Sequence, residues 1–116
     1  MKTVKMTNQE IINHVNNIGG IMDVRLPGKV SYALNKNRKA ILEELNCYFE
    51  EYNKLVEEYP QKGDKFEKEV EELLGIENEV PVRTVNESLL EEANHDLSQN
   101  VFIALEFMLE EQTNEQ

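Results

Sequence analysis

The feature that most constrains this chain is a long stretch without helix-breaking residues. Residues 29–59 contain neither proline nor glycine, and an α-helix of that length is about 46 Å long. A compact domain of this chain length has a diameter of roughly 35 Å. We therefore expect a long helix that kinks, protrudes as one arm of a hairpin, or packs against other subunits, and we predict a homo-oligomer.

A second helix is predicted directly after the first. Residues 60–63 (Pro-Gln-Lys-Gly) are typical of a turn, and the pattern Asp64-x-x-Glu67 predicts a helix capped by Asp64. Gly75 is expected to end this helix after Leu74. Both helices carry an apolar face, so we expect them to pack as a hairpin. The face of the long helix comprises Ile41, Leu42, Leu45, Cys47, Tyr48, Phe49, Tyr52, Leu55, Val56 and Tyr59.

The segments that precede and follow this hairpin predict a small sheet and two further helices. Residues 2–6 alternate in polarity, as in a short strand. The pattern Thr7-x-x-Glu10 is a capping box that opens a helix, and Gly19-Gly20 ends it. Residues 78–85 predict an edge strand because Pro81 lies within them.

Residues 98–110 are apolar nearly all round, which predicts a central helix capped by Ser98. The predicted fold is therefore mainly α and forms a single domain, residues 1–116. It has a long helical hairpin, a C-terminal core helix and a minor two-stranded sheet that pairs the N-terminal strand with residues 78–85. We expect subunits to associate through the long helix and the last helix.

The net charge of −11 is unevenly distributed along the chain. Residues 1–40 carry seven basic and two acidic side chains, whereas residues 41–116 carry five basic and 21 acidic ones. Either the basic third and the acidic remainder attract each other within the fold, or the basic segment binds a small anion. The acidic remainder repels a long polyanion, so duplex nucleic acid is disfavoured as a partner.

Composition argues against several other classes of protein. No apolar run approaches the roughly 20 residues of a membrane span. The first residues lack the apolar region of a secretory signal, and Cys47 is the only cysteine, which together favour a reducing cytoplasm. Two histidines and one cysteine make a zinc site of the usual type unfavourable.

No motif typical of an enzyme is present. The chain has no phosphate-binding glycine-rich loop and no Gly-x-Ser-x-Gly motif. His14 is expected at the edge of an apolar face and His95 at a helix boundary. The glutamate pairs that recur every seven residues in the long helix are typical of a solvated face. We therefore predict a protein that is not an enzyme, with no catalytic residues, metal or cofactor.

A cationic face at the start of the long helix is the most informative functional feature. Lys29, Tyr32, Lys36 and Lys39 share one face of the helix. The free N–H groups and the dipole of a helix start also attract anions, so this face suits a small phosphate-bearing ligand. Arg25, just before the helix, belongs to the same predicted ligand-binding set. The alternative is a solvated lysine face that covers acidic neighbours.

Asn37 interrupts an apolar stripe formed by Val30, Leu34 and Ile41. A buried amide must find hydrogen-bond partners, and in helical assemblies it often determines register or oligomeric state. Contact with a ligand is the alternative, and Asn37 is therefore included among the predicted ligand-binding residues.

Several segments together resemble a known family. They are the lysine-rich N-terminal strand, the Leu-Pro-x-Lys-Val-x-Tyr-Ala-Leu-x-Lys-Asn run of residues 26–37, the segment Phe-Glu-Lys-Glu-Val-Glu-Glu-Leu-Leu with its Glu-Val-x-Val sequel, and the closing Ala-Leu-Glu-Phe-Met-Leu-Glu-Glu. Most of the chain resembles a small protein family of unknown function encoded by phages and prophages of Gram-positive bacteria. Gly28 and the neighbourhood of Cys47 depart from that pattern. The resemblance implies a phage origin and a host cytoplasmic setting, and it carries over no catalytic residues.

Three functions are compatible with these features. The first is a phage counter-defence protein that binds and sequesters a small phosphate-containing immune signal of nucleotide type. The second is an acidic inhibitor of a basic surface on a host defence protein or nuclease. The third is a phage morphogenesis or structural accessory factor recruited by helix packing. We rank the first highest because the cationic face is local.

Overall fold

The computed structural model describes residues 2–93 and 98–110. About 66% of the chain is helical, which confirms the predicted mainly α fold with a long helix, a C-terminal helix and a small two-stranded sheet; that sheet is antiparallel. Among the described residues, the helices are α1 (Asn8–Gly19), α2 (Gly28–Glu58), α3 (Asp64–Leu74), α4 (Ser88–Ala93) and α5 (Gln99–Leu105). The strands of the same residues are β1 (Lys2–Thr7), β2 (Glu77–Val82), β3 (Val85–Asn86) and β4 (Leu109–Glu110).

The long helix α2 protrudes as one arm of a hairpin. It runs for 31 residues, and the molecule measures 53 × 33 × 20 Å along its principal axes. Its second half packs against α3 through aromatic rings. The ring centroid of Phe66 lies 5.9 Å from that of Tyr52 and 6.5 Å from that of Tyr59. Of the three expected arrangements, the structure therefore shows the hairpin, in which α2 extends beyond the dimensions of a compact domain. The homo-oligomer stays a prediction.

The turn between α2 and α3 differs from its prediction by one residue. Gly63, not Asp64, occupies the N-cap of α3, and Asp64 lies in the first helical turn without a side-chain capping bond. The chain reverses direction through two successive residues with positive φ, Lys62 at 58° and Gly63 at 98°. Glycine adopts such a conformation without steric cost, which explains why it occupies the N-cap.

The N-terminal capping box and the first sheet are confirmed. The Glu10 N–H donates to the Thr7 hydroxyl at 3.1 Å, and the Glu10 carboxylate accepts from the Thr7 N–H at 2.8 Å. Strand β1 pairs antiparallel with β2 in a register that runs from Lys2 opposite Val82 to Thr7 opposite Glu77.

The predicted second strand, residues 78–85, was too long. Strand β2 ends at Val82, and the backbone N–H and carbonyl of the next residue, Arg83, bond to the side chain of Asn37. Val85 and Asn86 instead form β3, which pairs in parallel with β4. The Thr84 hydroxyl also donates to the Glu110 carboxylate beside this second small sheet.

The C-terminal helix is also shorter than predicted. It begins after Ser98, as expected, but becomes a 3₁₀ turn at Glu106–Met108 and then strand β4, so the predicted helix through Glu110 was wrong. The chain leaves the helix because Leu109 and Glu110 pair with β3. The prediction that this segment is central holds for its buried side chains, Val101, Ala104, Leu105 and Met108.

A buried amide connects the base of the hairpin to the sheet. The side chain of Asn8 donates to the carbonyl of Leu73 at 2.7 Å and accepts from the side chain of Asn78 at 2.9 Å. These bonds join α1, the end of α3 and β2.

Within the described part of the chain, no helix has both the length and the apolar character needed to cross a bilayer.

His14 lies half-buried at the edge of the apolar face of α1, as its spacing predicted. Its ring centroid is 4.6 Å from that of Phe107. Burial lowers the pKa of His14 below its ordinary value of 6.5, and the negative charge of Glu10 opposes this shift. His95 lies outside the described residues.

The lowered pKa of His14 predicts that acid weakens the fold. Below the unfolded-state pKa near 6.5, the unfolded chain binds a proton more readily than the folded chain. The stabilisation is therefore complete above that pH and decreases as the pH falls towards the folded-state pKa. Chemical denaturation between about pH 7.5 and pH 5.5 measures this slope. We expect His14→Gln to flatten it, and an equal slope in both proteins would contradict the assignment.

Candidate functional site

A cavity of about 510 Å³ lies between the start of α2 and the segment that follows β2. The residues on the α2 side include Gly28, Lys29 and Tyr32, and those on the opposite side include Arg83, Asn86 and Leu89. No carboxylate is among the described residues that line the cavity. It therefore presents positive charge in a chain whose net charge is −11.

Tyr32 lies at the centre of a cluster of basic groups. Its side chain is 56% exposed. The Nζ atom of Lys36 lies 5.7 Å from the centroid of its ring, and the guanidinium carbon of Arg83 lies 5.5 Å from the same point. Both distances are within the range of cation–π attraction. Two cations therefore lie beside the ring, of which Arg83 also lines the cavity, and Lys29 precedes Tyr32 by one helical turn.

The first turn of α2 also contributes to the cavity. The N-cap residue, Pro27, makes no side-chain capping bond, and the N–H of Ser31 donates to the carbonyl of Pro27 at 2.9 Å. Earlier amides of the first turn have no acceptor within the helix. Gly28 lines the cavity, and a Cβ atom added there meets no other atom within 4 Å. A ligand can therefore approach the backbone closely at this helix start.

Asn37 positions Arg83. Its side chain is 1% exposed, and its amide nitrogen donates to the carbonyl of Arg83 at 2.9 Å while its oxygen accepts from the N–H of Arg83 at 2.7 Å. The same nitrogen lies 3.3 Å from the sulfur of Met108. The buried amide thus finds its partners within its own chain, and it contributes to the site by holding the Arg83 backbone rather than by reaching into the cavity.

The structure brings together only part of the predicted ligand-binding set. Lys29 and Tyr32 line the cavity. Lys36 does not line it, but its Nζ atom lies within cation–π distance of the Tyr32 ring. Lys39 is exposed about 15 Å along the helix from Lys29 and does not line the cavity. Arg25 is exposed in the segment before α2 and does not line it either.

Sequence reasoning missed Arg83. It lies just beyond β2 and 46 positions from Asn37, so no local pattern connects it with the start of α2. The only signal was indirect, because a buried asparagine in an apolar stripe requires polar partners from elsewhere in the fold. Those partners are the backbone groups of Arg83.

No candidate metal centre accompanies the cavity. Across residues 2–93 and 98–110, no three histidine, cysteine, aspartate or glutamate side chains are grouped so that they could hold a metal ion.

Comparison of the chain with protein-family models, with curated proteins and with solved structures found no match. The resemblance to a phage family therefore stays a prediction, and the function is argued from the chemistry of the cavity.

The link between Asn37 and Arg83 predicts a large stability effect. Asn37→Ala removes both hydrogen bonds and leaves the backbone N–H and carbonyl of Arg83 without this partner. We expect the free energy of unfolding to fall by about 2–3 kcal/mol. Urea denaturation measures the difference.

The matched control is Asn35→Ala on the same helix, because the side chain of Asn35 is exposed. A surface substitution of this kind changes stability by about 0.5 kcal/mol or less. Equal effects of the two substitutions would show that the Asn37–Arg83 link is not a principal stabilising contact.

Proposed function

We propose that this protein is a non-enzymatic phage accessory protein that acts in counter-defence in the cytoplasm of a bacterial host. It binds and sequesters a small phosphate-containing immune signal, of nucleotide type, in the cavity at the start of α2. The observation that carries the proposal is the cluster of Lys36 and Arg83 around the exposed ring of Tyr32, with Lys29 in the same cavity wall.

The size and chemistry of the cavity support a ligand of this class. Its volume of about 510 Å³ lies within the roughly 300–1,000 Å³ of small-molecule sites. Arginine and lysine bind phosphate oxygens through charge-assisted hydrogen bonds. The ring of Tyr32 offers a stacking surface for a base. Phosphate is thus assigned to Lys29, Lys36 and Arg83, and the base to Tyr32.

Binding without catalysis agrees with the chemistry of the lining. The lining residues supply cations, amides and apolar groups, and among the described ones there is neither a carboxylate nor an imidazole. Such a site attracts and retains an anion. Sequestration requires only that the protein binds the signal tightly enough to lower its free concentration.

A thermal-shift screen tests the proposal. The probes are cyclic dinucleotides, cyclic and linear ADP-ribose derivatives, and ordinary mononucleotides. A ligand at a hundred times its dissociation constant stabilises the fold by about 2.7 kcal/mol, and each kcal/mol raises the melting temperature of a domain of this size by roughly 4 °C or more. We therefore expect a shift of about 10 °C from one probe class.

Charge reversal in the cavity should abolish that shift. We expect Arg83→Glu and Lys36→Glu to lose the shift while the unliganded proteins still melt cooperatively. Lys68→Glu on α3 is the matched control, because Lys68 is exposed on the hairpin, and it should retain the shift. A flat response across all probe classes, or an undiminished shift in Arg83→Glu, would reject the proposed site.

A groove on the hairpin supports a second candidate function, inhibition of a host defence protein or nuclease. The groove has a volume of about 390 Å³ between α2 and α3. Its floor is apolar and its rim acidic. The carboxylate of Glu51 forms a salt bridge with the Nζ atom of Lys54 at 3.0 Å. The negative charge that this pair leaves on the rim is therefore that of Glu69 and Glu72 on α3. The floor comprises Leu55, Leu73 and Ile76, and the rim Glu51, Glu69 and Glu72.

This second function predicts a salt-sensitive complex with a basic host protein. Exposed charge pairs are largely screened at high ionic strength, so a complex captured in low salt should dissociate at about 0.5 M salt. The double variant Glu69→Lys/Glu72→Lys should not capture the partner, whereas Glu106→Lys, on the 3₁₀ turn after α5, should capture it normally. A complex that withstands high salt would contradict electrostatic inhibition.

A further inference from the structure

The cations around Tyr32 are grouped although the protein as a whole is strongly acidic. Lys29, Lys36 and Arg83 are all exposed. Among the described residues, the one ion pair joins Lys54 to Glu51 on the hairpin, so none of the three cations forms an ion pair with a described carboxylate. Like charges that are held together repel each other, and a ligand with several negative charges relieves that repulsion.

The two lysines form a row along α2. Lys29 and Lys36 are spaced by seven residues, nearly two full turns, so they lie almost in line on the helix surface, with their Cα atoms about 10.5 Å apart along the axis. Tyr32 lies beside this row, and Arg83 reaches its ring from the opposite wall of the cavity. A single phosphate group covers only part of such a row, whereas a chain of phosphates can follow it while a base lies on the ring.

The cavity offers a stacking surface for one base. Tyr32 is the one aromatic side chain among the described residues that line it, and it is 56% exposed. An exposed aromatic ring binds a base by stacking. A cyclic dinucleotide carries two bases on opposite sides of its phosphodiester ring, and one of them would find no aromatic partner among the described lining residues. The lining therefore matches a ligand with a single base.

Ligands of the nucleotide type differ in the negative charge that they bring to the cations. A terminal phosphate carries about two negative charges at neutral pH, and each phosphate between it and the sugar adds one more. The two phosphates of a cyclic dinucleotide are diesters, which carry one charge each and lie apart. A nucleoside diphosphate or triphosphate therefore brings more charge to Lys29, Lys36 and Arg83, and it brings that charge in one chain.

We propose, on the basis of the function proposed above, that the ligand of this cavity is a nucleotide with a single base and a chain of at least two phosphates that ends in a free phosphate. The base stacks on Tyr32. The phosphate chain follows the row of Lys29 and Lys36, with Arg83 on its other side. Nucleoside monophosphates, ADP-ribose and cyclic dinucleotides are bound more weakly.

Isothermal titration calorimetry with a graded set of probes tests this preference. The probes are adenosine, AMP, ADP, ATP, ADP-ribose and cyclic di-AMP, with their guanine counterparts as a second set. EDTA in the buffer ensures that no divalent cation neutralises the phosphates. For the base that binds better, we expect the dissociation constant to fall by a factor of about ten or more from the monophosphate to the diphosphate. The diphosphate should also bind more tightly than ADP-ribose or the cyclic dinucleotide.

Substitutions separate the contribution of the phosphates from that of the base. Lys29→Gln and Lys36→Gln should each weaken the triphosphate more than the monophosphate, because a longer chain contacts more of the row. Tyr32→Leu should weaken every nucleotide but leave inorganic tripolyphosphate nearly unaffected. Lys68→Gln on α3 is the matched control, because Lys68 is exposed on the hairpin, and it should leave all dissociation constants unchanged.

Three results would overturn this inference and leave the proposed function intact. They are equal affinities for the monophosphate and the diphosphate, tighter binding of a cyclic dinucleotide than of the diphosphate, and an unchanged affinity of Tyr32→Leu for the triphosphate. In each of them a nucleotide still binds. The absence of binding by every probe, cyclic dinucleotides included, would instead reject the proposed function and this inference together.

Discussion

The arrangement of this molecule around its cavity depends on the pair of hydrogen bonds between Asn37 and the backbone of Arg83. An amide inside an apolar core is tolerated only when its polar atoms are bonded, and here the segment after β2 supplies both a donor and an acceptor. That segment must therefore cross the first half of α2 at one position. Arg83 consequently lies beside Tyr32, and the following residues turn into β3 and form the far wall of the cavity.

The length of α2 gives its two halves different environments. The first half packs in the core, with Val30, Leu34 and Ile41 buried, and its outer face carries the cations of the proposed site. The second half leaves the core and is supported by α3, largely through Phe66. A helix that extends beyond the core retains uncovered apolar surface. In this chain that surface includes the side chain of Phe49, which is 47% exposed.

Elements governed by local contacts agreed closely with prediction. The ends of α1 and α3 follow from a capping box and from glycines, and α2 begins and ends one residue before the stretch without proline or glycine, residues 29–59. The alternation of residues 2–6 likewise predicted strand β1. In each case, interactions between near neighbours in the sequence determine the conformation.

Elements governed by distant partners were predicted less well. Strand β2 ends where the backbone of Arg83 bonds to Asn37, and α5 gives way to β4, which pairs with β3. For the candidate site, Lys29, Tyr32 and Lys36 were predicted because they share one helix face. Lys39 and Arg25 are also basic, but they do not line the cavity. How far the opposite wall extends along α2 depends on tertiary contacts, which no local pattern specifies.

The amino-acid sequence by itself determined the two helices of the hairpin and the cationic face of α2, since these depend on turn residues and on spacing along a helix. Only the tertiary structure decided that Asn37 bonds to Arg83, that Arg83 lies beside Tyr32, and that a cavity forms between the start of α2 and the segment after β2. These contacts join residues far apart in the chain, and their geometry depends on how the whole core packs. A pattern of near neighbours contains no information about such distances.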